Sequence, residues 1–247
     1  MEKEANTNSA QDNTQERAPR TDPEHNEYVK TVLEDKTREI KNERGLRFKR
    51  NPLYIGIFIK KNDKQKVTDL AKDVIKQVAE GFNSYYIQSD LKAIDDEENN
   101  TWQTPPSPHI TTLFVGRKTL DNEDEQKILT GFKDGLTYPY TVHGILYQPG
   151  KIVTGVTFID REKVDVANEF DHMTMYFGKE KPVYSNDILA ATFGEGGPGQ
   201  EDYQNKFEGL EGVKEYKVTV GDDEPTSVYL VIPKRLTLFY GKTRIIL

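Results

Sequence analysis

Two histidines offer the sequence's clearest chemistry. His109 opens the run His109-Ile110-Thr111-Thr112-Leu113-Phe114, and 63 positions later His172 opens His172-Met173-Thr174-Met175-Tyr176-Phe177. Both runs read His, apolar, Thr, with a Phe in the fifth place after the His. An imidazole titrates near neutral pH, so one of a pair can be neutral while the other is charged. A reaction that takes a proton from water and returns one to a leaving oxygen uses such a pair as base and acid. The two Thr hydroxyls can donate to the non-bridging oxygens of a charged centre held between them. Attack on a phosphodiester with a good leaving oxygen fits this set. A 2′,3′-cyclic phosphate suits it well, because its strained ring has a single leaving alkoxide. Two His without cysteine or an adjacent carboxylate cluster form a poor zinc ligand set. Neither a metal nor any other cofactor is expected.

Both runs are rich in Thr, aromatic and apolar types, which predicts a strand for each. Unbroken alternation along a strand would put His109, Thr111 and Leu113 on one face, with His172, Thr174 and Tyr176 likewise together. On that pattern Phe114 and Phe177 point away, into core. Tyr176 then becomes a substrate-binding candidate. Arg117 and Lys179, which follow the two runs, are further candidates for contact with a phosphate. Pro105, Pro106 and Pro108 force an extended approach to His109 and so present it at the very start of its strand.

Around the motifs the order of elements is mixed. Residues 52–60 read as a buried strand. Val67, Leu70, Ala71, Val74, Val78, Ala79 and Phe82 recur at helical spacing, and Gly81 supplies a stop. A short strand is predicted over 85–88 and an acidic loop over 90–100. A helix is predicted over 122–132, strands over 138–147 and 152–159, and a helix over 186–193. The glycine-rich run 194–199 reads as a mobile loop. Strands over 215–220, 227–232 and 236–240 complete the chain. This order predicts an α+β fold rather than a doubly wound parallel sheet. His143 falls inside a strand and is read as a packed, structural residue. His25 lies in the polar N-terminal stretch.

The chain has 247 residues, no cysteine and a formal net charge of −7. Disulfides and thiolate nucleophiles are excluded. An acidic balance argues against a general grip on duplex nucleic acid, though it leaves room for a small basic groove. No apolar run approaches the roughly 18 residues of a membrane span. Residues 1–26 are nearly free of apolar side chains and read as a disordered acidic tail. Residues 27–50 read as a docking helix followed by a basic linker containing Arg44, Arg47, Lys49 and Arg50. Residues 27–247 are expected to form a single bilobal domain. A cytoplasmic or nuclear monomer is expected.

The paired His-apolar-Thr motifs, and the wording Ser107-Pro108-His109-Ile110-Thr111-Thr112-Leu113-Phe114-Val115-Gly116 in particular, resemble the 2H phosphoesterase superfamily. That superfamily includes LigT-type RNA phosphodiesterases, myelin-type 2′,3′-cyclic nucleotide phosphodiesterases and the cyclic phosphodiesterase modules of tRNA ligases. The resemblance implies two antiparallel sheets flanking a central groove, helices outside, with His109, Thr111, His172 and Thr174 lining the groove. It implies one His as the base for water and the other as the acid for the leaving oxygen; His109 is assigned as acid and His172 as base. The implied substrate is an RNA 3′ end or a nucleotide bearing a cyclic phosphate, opened to a 2′-phosphate in RNA repair or processing, beside a separate RNA ligase or kinase. Three alternatives remain open on the sequence: a 3′-5′ RNA exonuclease of the same superfamily, a non-catalytic nucleotide-binding module, and an enzyme that degrades cyclic oligonucleotides.

Overall fold

The computed structural model describes residues 53–96, 98, 100–115, 123–221 and 223–246. The N-terminal tail, the 27–50 helix and linker, His25 and Arg117 lie outside the described residues. Eight strands form one continuous antiparallel sheet: β1 (Tyr54–Ile59), β2 (His109–Phe114), β3 (Thr137–Gln148), β4 (Ile152–Thr157), β5 (His172–Phe177), β6 (Gly212–Val218), β7 (Thr226–Ile232) and β8 (Thr237–Ile246). Their spatial order is β4-β5-β2-β1-β8-β3-β7-β6, with a further β3–β4 pairing. That pairing closes six strands into a barrel. The twelve-residue β3 makes closure possible, since its first half pairs with β8 and its second half with both β4 and β7. The α+β class expected from the sequence holds. Two separate sheets flanking a groove do not describe this molecule, because closure through β3 and β4 joins every strand into one surface.

Five α-helices accompany the described strands: α1 (Lys64–Gly81), α2 (Tyr85–Asp95), α3 (Glu123–Gly131), α4 (Tyr184–Phe193) and α5 (Gln200–Gln204). The apolar stripe of α1, formed by Val67, Ala71, Val74, Ile75 and Val78, packs against Ile57, Ile110, Val142, Val153 and Met173 on one face of the sheet. Ile188, Leu189 and Phe193 of α4 pack with Leu146, Ile152 and Leu230 on the other face. No described helix is long and apolar enough to cross a membrane.

Residues 85–95 depart from the expected short strand and loop. The Ser84 hydroxyl caps a helix there by accepting the Ile87 N–H. Ile87 and Ile94 are buried, as is Asp90, which accepts from Trp102 Nε1, Tyr147 Oη and the Gly150 N–H. The run 194–199 is a series of turns in which the Gly199 N–H returns to the Thr192 carbonyl before the chain enters α5.

The motif strands carry a feature that strict alternation misses. β1 pairs with β2 so that Ile55 faces Leu113 and Gly56 faces Thr111, leaving Thr112 as an extra residue. β4 pairs with β5 so that Val153 faces Tyr176 and Thr154 faces Thr174, leaving Met175 as the extra one. Each bulge falls three positions after its His. A bulge resets the side-chain alternation. The fourth position after each His, Leu113 or Tyr176, therefore turns into core, and the fifth, Phe114 or Phe177, turns to the His face.

Gly56 sits at the first bulge, where an added Cβ would lie 2.5 Å from the Ile110 carbonyl oxygen. That oxygen belongs to the backbone and cannot swing aside. Gly56→Ala should therefore destabilise the fold by about 1–3 kcal/mol, as over-packing does. Chemical denaturation checks this, and an unchanged midpoint would contradict the assigned register.

Candidate functional site

β2 and β5 are antiparallel neighbours with Ile110 opposite Met173. This register sets His109 across from Thr174 and Thr111 across from His172. The two His-Thr pairs thus form one patch related by a local two-fold axis through the Ile110–Met173 pair. His109 and His172 are then diagonal neighbours, a relation that spans about 7–8 Å in an antiparallel pair, somewhat less between Cβ atoms. All four residues line one cavity of about 410 Å³. Tyr54, Phe114 and Asn168 also line it, as do Val183 and Asn186 at the start of α4.

Both imidazoles are held in the same way. His109 Nδ1 lies 2.8 Å from the Ser107 carbonyl oxygen, and His172 Nδ1 lies 2.9 Å from that of Phe170. A carbonyl only accepts, so Nδ1 carries a proton in each ring. Nε2 of the neutral form is left with its lone pair, the atom a general base uses. Burial pushes both imidazoles below the usual histidine pKa, against the opposing pull of those carbonyls. His172 is 8% exposed, and any charge on His109 lowers it further. His109 is half-buried and rests on two aromatic faces, with ring centroids 4.8 Å from Tyr54 and 4.7 Å from Phe58.

The Thr hydroxyls are not equivalent. The Thr111 hydroxyl has no hydrogen-bond partner among the described residues and faces the cavity. Thr174 Oγ1 donates to the Pro182 carbonyl at 3.1 Å and meets Ser185 Oγ at 2.7 Å. With its one proton on the carbonyl, Thr174 accepts from Ser185. It latches β5 to the start of α4, so its proton does not point at the cavity.

The other candidates fall elsewhere. Tyr176 is 2% exposed, donates no bond into the cavity, stacks on Trp102 at 5.4 Å and accepts from Asn100 Nδ2. The bulge at Met175 removes it from the His172 face. Lys179 is exposed and does not line the cavity; its charge acts on Asp90 instead. Phe114, expected in core, is 62% exposed at the cavity edge. Phe177 stands on the His face but packs beside the α4 core. His143 sits edge-on to Phe158, away from the cavity.

Sequence reasoning missed Tyr54 and Asn168. Tyr54 lies within an apolar run, and nothing in its type distinguishes it from core. Asn168 arrives on the segment between β4 and β5, where its Nδ2 donates to the Thr111 carbonyl at 2.8 Å. Arg161 ties that segment down by donating to the carbonyls of Val166 and Asn168 and to Asp171 Oδ1. Buried Asp171 completes the clasp by accepting the Ile159 N–H. Among the described residues, no group of three or more His, Cys, Asp or Glu is placed to hold a metal ion.

No protein-family model matches the chain, and no curated protein matches its sequence. Among solved structures, a crystal structure of a fungal RNA kinase is similar with a TM-score of 0.49 and 12% identity, covering 85% of this chain and 50% of that one. The chain thus spans half the length of that protein. A likeness this slight carries no argument about activity, and the site geometry has to supply it.

The unequal hydroxyls make a prediction. Thr174→Val strips partners from the Pro182 carbonyl and Ser185, and should cost about 1 kcal/mol of stability. Thr111→Val breaks no bond and should leave the thermal midpoint within error. Equal effects of the two on thermal unfolding would contradict the latch.

Proposed function

We propose that the chain is a metal-independent phosphodiesterase that hydrolyses 2′,3′-cyclic phosphate ends of RNA or nucleotides by His/His acid–base catalysis. The observation that carries this is the convergence of two imidazoles on one cavity, each fixed through Nδ1 and each leaving Nε2 for proton transfer. The cavity lies within the size range of nucleotide-scale ligand sites.

His172 is the base. Its deeper burial, reinforced by any charge on His109, keeps it neutral. Its Nε2 takes a proton from water as the oxygen attacks phosphorus. His109 is the acid, because the faces of Tyr54 and Phe58 favour an imidazolium above them. It returns a proton to the ribose oxygen as the P–O bond of the ring breaks. Cleavage at the 3′ oxygen leaves a 2′-phosphate, the product the family resemblance implies. The Thr111 hydroxyl donates to a non-bridging oxygen as charge builds there. Thr174 supports β5 rather than the phosphate.

The pH dependence follows from the direction of the shifts. A base must be deprotonated and an acid protonated, so a bell-shaped profile is set by the two imidazoles. Burial lowers both below 6.5, which places both limbs, and the optimum of kcat/KM, on the acid side of 6.5. His172→Ala should remove the acidic limb and His109→Ala the alkaline one, each lowering turnover by about 10² to 10⁴. Steady-state rates on a 2′,3′-cyclic nucleotide across pH, with and without EDTA, check this. Unimpaired single variants would refute the mechanism, and EDTA-sensitive activity restored by zinc would move it to a metalloenzyme.

A further inference from the structure

The cavity opens beside a sheet face that the proposed reaction does not use. Phe58 pairs with His109 on one side and with Lys242 on the other, so His109, Phe58 and Lys242 form one row across β2, β1 and β8. Two strand spacings of about 4.8 Å put the Lys242 backbone about 10 Å from that of His109. Tyr240 shares the Lys242 face two residues along β8, is 45% exposed, and has Lys60 Nζ 5.5 Å from its ring centroid. Arg244, two residues the other way, lies 5.8 Å from the Phe58 ring. Lys60 and Lys242 are exposed. On a chain of net charge −7, this row gathers cations and open aromatic surface next to the cavity. Two carboxylates temper it: Asp134 acts on Arg244, and Asp63 lies near Tyr140.

We infer that this face binds the single-stranded RNA leading up to the reacting phosphate, with its backbone against Lys242 and Arg244 and a base stacked on Tyr240. The inference rests on the His pair being the reacting centre. Phe58 itself is buried beneath His109 and Arg244, but cations flanking the exposed ring of Tyr240 suit unstacked bases, which pair π-faces with aromatics regardless of sequence. Duplex would need a broader basic footprint than this acidic chain presents. On this reading a mononucleotide is held by the cavity alone, whereas a longer strand also engages β8. The face therefore selects oligonucleotide ends over free cyclic nucleotides.

Two measurements on the full chain test this. One is the affinity, by fluorescence anisotropy, for a labelled single-stranded RNA of about ten nucleotides with an unreactive 3′-hydroxyl end. The other is kcat/KM on a 2′,3′-cyclic mononucleotide. Lys242→Glu and Tyr240→Ala should each weaken RNA binding about tenfold, as loss of a phosphate contact or a stacked base does, and leave mononucleotide turnover unchanged. Lys242→Glu should also flatten the salt dependence of binding. If Tyr240→Ala fails to fold, Lys242→Glu alone decides. Absent RNA binding, or affinity unmoved by Lys242→Glu, overturns the inference even where the mononucleotide is hydrolysed. Dimerisation that Tyr240→Ala abolishes would assign the face to a second copy and overturn it as well. RNA binding that responds to these variants, with no turnover of either the mononucleotide or an RNA ending in a 2′,3′-cyclic phosphate, would keep the face as an RNA site and sink the hydrolytic reading.

Discussion

The candidate site depends on one pairing, the antiparallel contact of β2 with β5 at Ile110 and Met173. Both of these side chains are fully buried in the main core, and burying each stabilises the fold by about 1.5–3 kcal/mol. Their neighbours His109, Thr111, His172 and Thr174 must then emerge on the opposite face, because a strand alternates. The apolar residue between each His and Thr thus fixes where the chemistry stands. The strand order keeps this pair interior to the sheet, with β1 and β4 on either side, and closure through β3 and β4 leaves β4 no free edge. A one-residue slip would bury both imidazoles and expose Ile110 and Met173, which the core does not tolerate.

Burial and polarity are balanced around this pairing. An imidazole removed from water needs its N–H satisfied. Ser107 and Phe170, each two residues before its His, provide that bond from the main chain itself. The approach to His109 is stiffened by Pro105 and Pro108. The approach to His172 is stiffened by the Arg161–Asp171 clasp, a partly exposed guanidinium against a nearly buried carboxylate. Burial raises the Asp171 pKa, while the Ile159 amide and Arg161 favour its charged form. Two unrelated devices hold two equivalent rings.

Much of this was legible in the sequence, and the omissions have physical causes. The motif strands, α1, α4 and the hairpin from β3 to β4 follow from periodicity and turn residues. So does the convergence of His109 with His172, because a repeated strand motif invites a common surface. The bulges were not legible: Thr112 and Met175 carry no glycine or proline that would mark an inserted residue, and their effect appears only when the partner strand is in place. Tyr176 and Phe114 therefore exchanged roles relative to simple alternation. The helix at 85–95 was masked by Asp90, a charged residue on the buried face whose partners Trp102, Tyr147 and Gly150 are remote in sequence. Barrel closure is likewise invisible locally, since it depends on β3 meeting β8 along one half and β4 along the other.

The repeat is symmetric in its letters and asymmetric in its surroundings. Where two groups of one chemical type serve as acid and base, as the proposed reaction requires of the two imidazoles, they must hold opposite protonation states, and environment is what separates such groups. Here β2 borders β1, which places Tyr54 and Phe58 against His109, whereas β5 borders β4 and the α4 core, which seals His172. The same division leaves the Thr111 hydroxyl open and spends that of Thr174 on Pro182. Strand order and the position of α4 together differentiate the copies: a duplicated His-apolar-Thr motif becomes two unlike groups because its two strands have different neighbours.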